Sequence, residues 1–272
     1  MKNPKILKDH VIIYDNDCPL CNLYTGAFVK MNFLEQNGRL PYEKINQIDT
    51  SALEEERSKN EIPLFDLNTG TFDYGVNSLL KILGHRWSFF KKIATCRPAV
   101  YLIKILYNFI SFNRKVIVPG DPKANTCYPT FNIKYRSAFL LFSWVTVAMV
   151  LYLYNHLLTG LAPAPDFNFE LLIAGGQVLF QSIFLIKKDR ETAFEYLGNM
   201  MTVSLLGAIG LLPMLLVSIF ISINPIWALL YFSIIATLMF IEHYRRVKLL
   251  GLSTGLSISW VLYRVLILIT LL

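Results

Sequence analysis

Apolar residues follow two rhythms along this chain. Up to about residue 130 they come in short runs broken by charged or turn-forming residues. Beyond Ser137 they come in long stretches. Val11-Ile12-Ile13-Tyr14 is β-branched and aromatic, which predicts a buried strand, and Asp15-Asn16-Asp17 ends it with residues that favour turns and helix caps. Cys18-Pro19-Leu20-Cys21 follows, then a helical stretch with Tyr24, Phe28, Met31 and Leu34 on one side, up to Asn37-Gly38. Pro19 suits a first helical turn, where its missing N–H costs nothing. Arg39–Ile45 reads as a second strand and Thr50–Asn60 as a charged helix opened by a Ser51/Glu54 capping box. Glu61–Leu67, entered through Pro63, and Thr71–Tyr74 read as strands joined across Asn68-Thr69-Gly70, and Asn77–Leu83 as a short helix. From Pro98 onward, Lys104, Asn108 and Ser111 share one stripe of a mostly apolar helix. Trp87, Phe89, Phe90, Lys91 and Lys92 precede it, which suits either a membrane surface or packing on the soluble domain.

The second rhythm predicts membrane helices. Five segments stand out: Ser137–Leu158, Leu171–Ile186, Met200–Ile221, Ile226–Ile241 and Leu252–Leu272. Most approach the ~20 residues a spanning helix needs; the second and fourth sit near the lower limit. Basic connections (Lys134 and Arg136; Lys187, Lys188 and Arg190; Arg245, Arg246 and Lys248) alternate with Thr159–Glu170 and Ser222–Pro225, which hold no Lys or Arg. The positive-inside rule then places the N-terminal half in the cytoplasm and Leu272 outside. Few polar residues lie in or near the spans. Gln177 and Gln181, four apart, share a helix face and are expected to hydrogen-bond a neighbouring helix. Arg264, near the middle of the last span, is either a functional group or a structural one paired with Glu242.

Composition sharpens this division. The chain is 54% hydrophobic, beyond an ordinary soluble protein. Residues 1–136 hold 19 Lys/Arg and 13 Asp/Glu, against 7 and 6 in residues 137–272. The expected parts are an α/β domain over 1–96, an amphipathic or interfacial helix and linker over 97–136, and an all-α transmembrane bundle over 137–272. The net charge of +7 is spread rather than clustered, which fits lipid headgroups better than nucleic acid. The first apolar run is too short for a secretory signal core, so the N-terminal half is expected in the cytosol of a multi-pass cell-membrane protein.

All four cysteines, Cys18, Cys21, Cys96 and Cys127, lie in that half. A reducing compartment argues against a stable disulfide framework, so the Cys18/Cys21 pair points to redox or metal chemistry. A cysteine at a helix start meets unsatisfied N–H groups and the positive end of the helix dipole, which favour thiolate. Cys18 is the expected, more exposed nucleophile and Cys21 the resolving thiol; Asp15 and Asp17 partly oppose a thiolate. Zinc would need four ligands, but no second CxxC exists and the histidines are scattered. The run from Val11 to Asp17 also matches the strand-plus-DxD opening of haloacid-dehalogenase phosphatases, with Asp15 as nucleophile. That chemistry wants a later carboxylate pair for Mg²⁺, and none is evident.

The order strand, helix, strand, helix, strand, strand, helix is the thioredoxin-like one. Tyr14-Asp15-Asn16-Asp17-Cys18-Pro19-Leu20-Cys21 resembles the opening signature of DCC-family thiol-disulfide oxidoreductase-like proteins. Tyr74-Gly75-Val76-Asn77-Ser78 resembles the segment entering that family's last core helix. Tyr107 through Asn113-Arg114, Gly120 and Cys127-Tyr128-Pro129 resemble its tail. The resemblance covers roughly residues 10–130 and none of the membrane half. Asn16 stands where the family usually has glycine, and Asn tolerates a left-handed backbone. The resemblance implies a thioredoxin-like domain with a redox-active Cys18–Cys21 disulfide and no other cofactor. Its partner would be a thiol or disulfide protein or a small thiol. Pro63 is then expected to be a cis-proline beside the thiols, Cys127 a third thiol or a structural residue, and Cys96 inert. A non-catalytic binding or regulatory domain is the alternative.

Overall fold

In the computed structural model the chain is mostly helical with one small sheet; the structure describes residues 6–120, 129–161 and 166–271. It forms two compact units that divide between Tyr135 and Arg136.

The first unit is built on a four-stranded sheet: β1 (His10–Tyr14), β2 (Arg39–Pro41), β3 (Pro63–Asp66) and β4 (Thr71–Tyr74), in the order β2-β1-β3-β4. β1 runs parallel to β2, with Ile12 opposite Arg39, and antiparallel to β3, with Val11 opposite Phe65; β3 and β4 form an antiparallel hairpin. Its helices are α1 (Pro19–Lys30), α2 (Glu55–Asn60), α3 (Val76–Arg86), α4 (Ser88–Thr95) and α5 (Arg97–Ile117). Ile12, Leu64 and Ile82 are sealed from solvent and, with Phe33, Leu34 and Ile62, form the core between sheet and helices. The parallel β1–α1–β2 crossover brings the end of β1 and the start of α1 to one edge of this core. The sheet's own edges are short. β2 ends in Pro41, where a 3-10 helix (Tyr42–Gln47) begins, and on β4 the Asp73 carboxylate accepts a 2.9 Å hydrogen bond from Lys81.

Three predicted elements are shorter than the pattern suggested. β2 stops at Pro41 instead of reaching Ile45, because proline has no N–H to continue a ladder. α2 starts at Glu55, not Thr50. The Asp49 carboxylate accepts from the Ser51 N–H, drawing Ser51 into a local turn, so the Ser51/Glu54 box never forms. Asp66 and Asn68 close the β3–β4 turn, leaving Leu67 outside the strand.

α4 and α5 meet at 98°. α5 packs on the α/β domain through Tyr107, Ser111, Asn113, Arg114 and Val116, while Tyr101, Leu102, Ile105, Leu106 and Ile110 stay exposed. Ser111 therefore lies on the inward face, where its hydroxyl donates to the Asn60 carbonyl, and not on a solvent stripe with Lys104. The domain consequently extends past residue 96 to include this helix.

The second unit consists of α6 (Ile133–Asn155, which starts at the boundary), α7 (Phe167–Ile183), α8 (Arg190–Ser218), α9 (Pro225–Leu249) and α10 (Gly255–Leu271). α6 with its 3-10 extension, α8 and α9 are long and apolar enough to cross a membrane. α7 and α10 have 17 residues each, or about 26 Å at 1.5 Å per residue, short of a ~30 Å hydrocarbon core. Asp166 caps α7 by accepting from the Asn168 N–H, and the chain turns at Phe184, which trims the predicted segment at its far end.

Candidate functional site

Cys18 is the N-cap of α1 and Pro19 its first residue. The first-turn N–H groups of a helix lack partners inside it. Here the Cys18 Sγ accepts from the Cys21 N–H at 3.4 Å, so the sulfur takes the role a serine or aspartate oxygen usually fills. The preceding turn is held by Asp15: its side chain accepts from the Asp17 N–H (3.0 Å) and its carbonyl from the Cys18 N–H (3.3 Å). Asn16 tolerates a left-handed backbone but does not use it here. Among described non-glycine residues only Asp9 and Asn32 have positive φ, because the Asp15 turn closes without one.

Both thiols are free and buried, Cys18 8% and Cys21 5% exposed, so Cys18 is scarcely the more accessible of the two. They differ electrostatically instead. A hydrogen bond with the Cys21 thiol has the largest influence on Cys18, and burial opposes it. The Cys21 N–H and the Arg114 guanidinium add to the first effect, bringing Cys18 down to about 7. That same bond, together with burial, pushes the Cys21 thiol far up. Burial also pushes the Asp15 carboxyl up, against the pull of Arg114. The site thus holds one sulfur that ionises near neutrality and one that keeps its proton.

Arg114 reaches this site from α5. Its guanidinium lies 4.0 Å from the Asp15 carboxylate and donates to the Lys59 carbonyl at 3.0 Å, with little solvent contact for either partner of the ion pair. A cavity of about 20 Å³, room for one water molecule by the ~10–15 Å³ criterion, is lined by Asp15, Cys21, Tyr24, Ser58, Pro63 and Arg114. Gly120 closes over the same turn. A Cβ there would collide with the Asp17 carbonyl oxygen and sit 3.3 Å from Pro19 Cδ, so only glycine fits.

Pro63 lies beside Cys21 on that cavity, but the Ile62–Pro63 bond is trans, contrary to the expectation. Ile62 is held on both sides in this arrangement. Its N–H donates to the Tyr107 hydroxyl (2.9 Å), and its carbonyl accepts from Gly75 N–H and Ser78 Oγ, each at 3.0 Å. Trans is in any case the favoured isomer by ~0.5–1 kcal/mol. Gly75 itself takes φ +58°, and a side chain there would press on Glu61 and Tyr107.

Other singled-out residues sit elsewhere. Cys96 is exposed at the α4–α5 bend, and Cys127 lies outside the described residues. Among the described residues no group of three or more His, Cys, Asp or Glu gathers as a metal site would require. In the second unit Gln181 accepts from Tyr196 (2.9 Å) and Ser259 (3.2 Å), whereas Gln177 is buried with neither amide atom bonded. Tyr196 also meets His243, whose other ring nitrogen faces Ser257 at 3.1 Å. Glu242 binds Arg245 and Arg246 and not Arg264, since i+3 and i+4 neighbours lie on its own helical face. Arg114 and Gly120 stand out in the sequence only through the family resemblance of the tail, and the Tyr196–His243 contact carries no signal in local pattern. No protein-family model, curated protein or solved structure matches this chain.

Proposed function

We propose that this is a membrane-anchored thiol-disulfide oxidoreductase working through Cys18 and Cys21. One observation carries the reading: two thiols at the start of one helix, the first lowered to about 7 and the second pushed up. The Cys18 thiolate attacks a partner disulfide, forming a mixed disulfide and releasing one partner thiolate. Cys21 then loses its proton, to Asp15 across the shared cavity, and attacks Cys18 Sγ. The partner leaves as a dithiol with two electrons gained, and two molecules of a small thiol return the Cys18–Cys21 disulfide to dithiol, leaving as their own disulfide. The β2-β1-β3-β4 order with its parallel crossover and C-terminal hairpin supports a thioredoxin-like domain, and so does the DCC-family resemblance of Tyr14–Cys21.

The test is mass spectrometry of the full chain across a glutathione redox series. The peptide holding Cys18 and Cys21 should lose two thiols together, reversibly. Burial of both sulfurs favours the other reading, a domain that binds or regulates without exchange; thiols that stay unbridged in strong oxidant would decide for it.

The membrane part follows from the charge alternation: five crossings, with the redox domain cytoplasmic and the C-terminus outside. α7 and α10 would cross where the bilayer thins locally. Exposed Cys96 is the reporter. An impermeant maleimide should label it only after permeabilisation, whereas an Asn168→Cys variant, at the exposed start of α7, should label in intact cells. Cys96 labelling in intact cells would invert the orientation and make the dithiol an oxidant of exported proteins.

A further inference from the structure

The second unit holds a partly open cavity of about 520 Å³ between α6, α8, α9 and α10, within the ~300–1,000 Å³ that small-molecule sites occupy. Leu151, Phe232 and Trp260 are among its apolar walls, and Met239 of α9 packs directly against Gly207 of α8, where a Cβ would not fit. Two hydroxyls border it, and both are committed to their own helices. Ser204 donates to the Met200 carbonyl (3.4 Å) and Thr237 to that of Ser233 (2.8 Å).

Arg264 of α10 is different. Its guanidinium lies 5.9 Å from the centre of the Trp260 ring, and among the described residues no hydrogen bond or ion pair engages it. Glu242 is committed to Arg245 and Arg246, and Glu170, which attracts Arg264 from beyond ion-pair distance, accepts its hydrogen bond from the Asn155 amide. A guanidinium offers five donors in a fixed fork, and leaving them unfilled in apolar surroundings is costly. The missing component is a planar anion attached to an apolar body.

We propose that this cavity binds a long-chain fatty acid, its acyl chain along the apolar walls and its carboxylate paired in bidentate fashion with Arg264. The single chain suits a partly open slot between helices, and the carboxylate matches the planar fork better than a hydroxyl does. This site is independent of the thiol chemistry of the first unit and stands or falls without it.

The test uses the full chain in phosphatidylcholine nanodiscs, with Trp260 as the internal reporter. Dibromostearic acid should quench tryptophan emission saturably. Uncharged dibromostearyl alcohol and a phosphatidylglycerol with brominated chains should quench only weakly and without saturation. The chain has four tryptophans, so Trp260→Phe identifies the responding component by removing it. Arg264→Gln should weaken binding of the acid by roughly tenfold or more, the worth of a charge-assisted hydrogen bond, with Arg264→Lys between the two. Equal quenching by acid and alcohol on the unaltered chain overturns the carboxylate assignment, even if every variant fails to fold. Equal quenching by the phosphatidylglycerol replaces the fatty acid with ordinary surrounding lipid.

Discussion

Cys18→Ser is expected to abolish thiol exchange, and Cys21→Ser to arrest it halfway. In the first variant the group that ionises near neutrality is gone, and the remaining Cys21 thiol is both buried and pushed up. Turnover of a model disulfide should fall on the order of a hundredfold or more, because the thiolate is the attacking species. The second variant keeps the nucleophile but cannot resolve, so a mixed disulfide should accumulate and be visible as added mass. Serine at 18 could still cap α1, which keeps the fold as a control. In the unaltered chain, alkylation of Cys18 should rise with pH through a midpoint of about 7. Should Cys18→Ser exchange as fast as the original, the dithiol has no part in the chemistry.

Arg114→Met should be the most destructive change outside the cysteines. It removes the only cation the structure places against Asp15 among the described residues and frees the Lys59 carbonyl. Breaking a buried pair this way costs about 3–5 kcal/mol. The pH dependence has a definite sign. Burial already raises the Asp15 carboxyl above its ordinary value, so its contribution to stability is fully present at low pH and lost as pH rises through the folded value. Without Arg114 that value rises further, and the loss in thermal stability should be small in acid and grow towards neutrality. The Cys18 midpoint should move upward as well, since Arg114 pulls it down. Asp15→Asn in the same chain should restore much of the stability at neutral pH and bring the Cys18 midpoint part of the way back down, since the Asp15 charge raises it. A loss of stability that does not vary with pH would falsify the pairing and leave packing as the role of Arg114.

Short-range pattern carried much of the first unit. Val11–Tyr14, the CxxC and the helix behind it follow from residue type and period, since β-branching, a capping position and an amphipathic face are properties of neighbours. The site around them was not legible in the same way. Arg114 meets Lys59 across 55 positions, and nothing within a helical turn of Arg114 announces Asp15. Gly120 needs to be glycine because of the Asp17 carbonyl, again a distant partner. The capping box at Ser51 failed because Asp49 offered a nearer acceptor. Among the described residues a helix stands at each of the five apolar segments of the second unit, three of them long and apolar enough to cross a membrane, but their lengths depend on where caps and turns fall, as Asp166 and Phe184 show for α7.

The sheet's short borders bear on how densely this protein can be packed. A domain tethered to a bilayer meets its own copies in two dimensions, at a far higher effective concentration than the same domain free in solution. Unpaired strand borders are then an invitation to zip neighbouring copies together. β2 offers only three residues and closes with Pro41, which has no N–H to give, and β4 carries the charged Asp73–Lys81 pair. The sheet therefore stays at four strands when copies crowd.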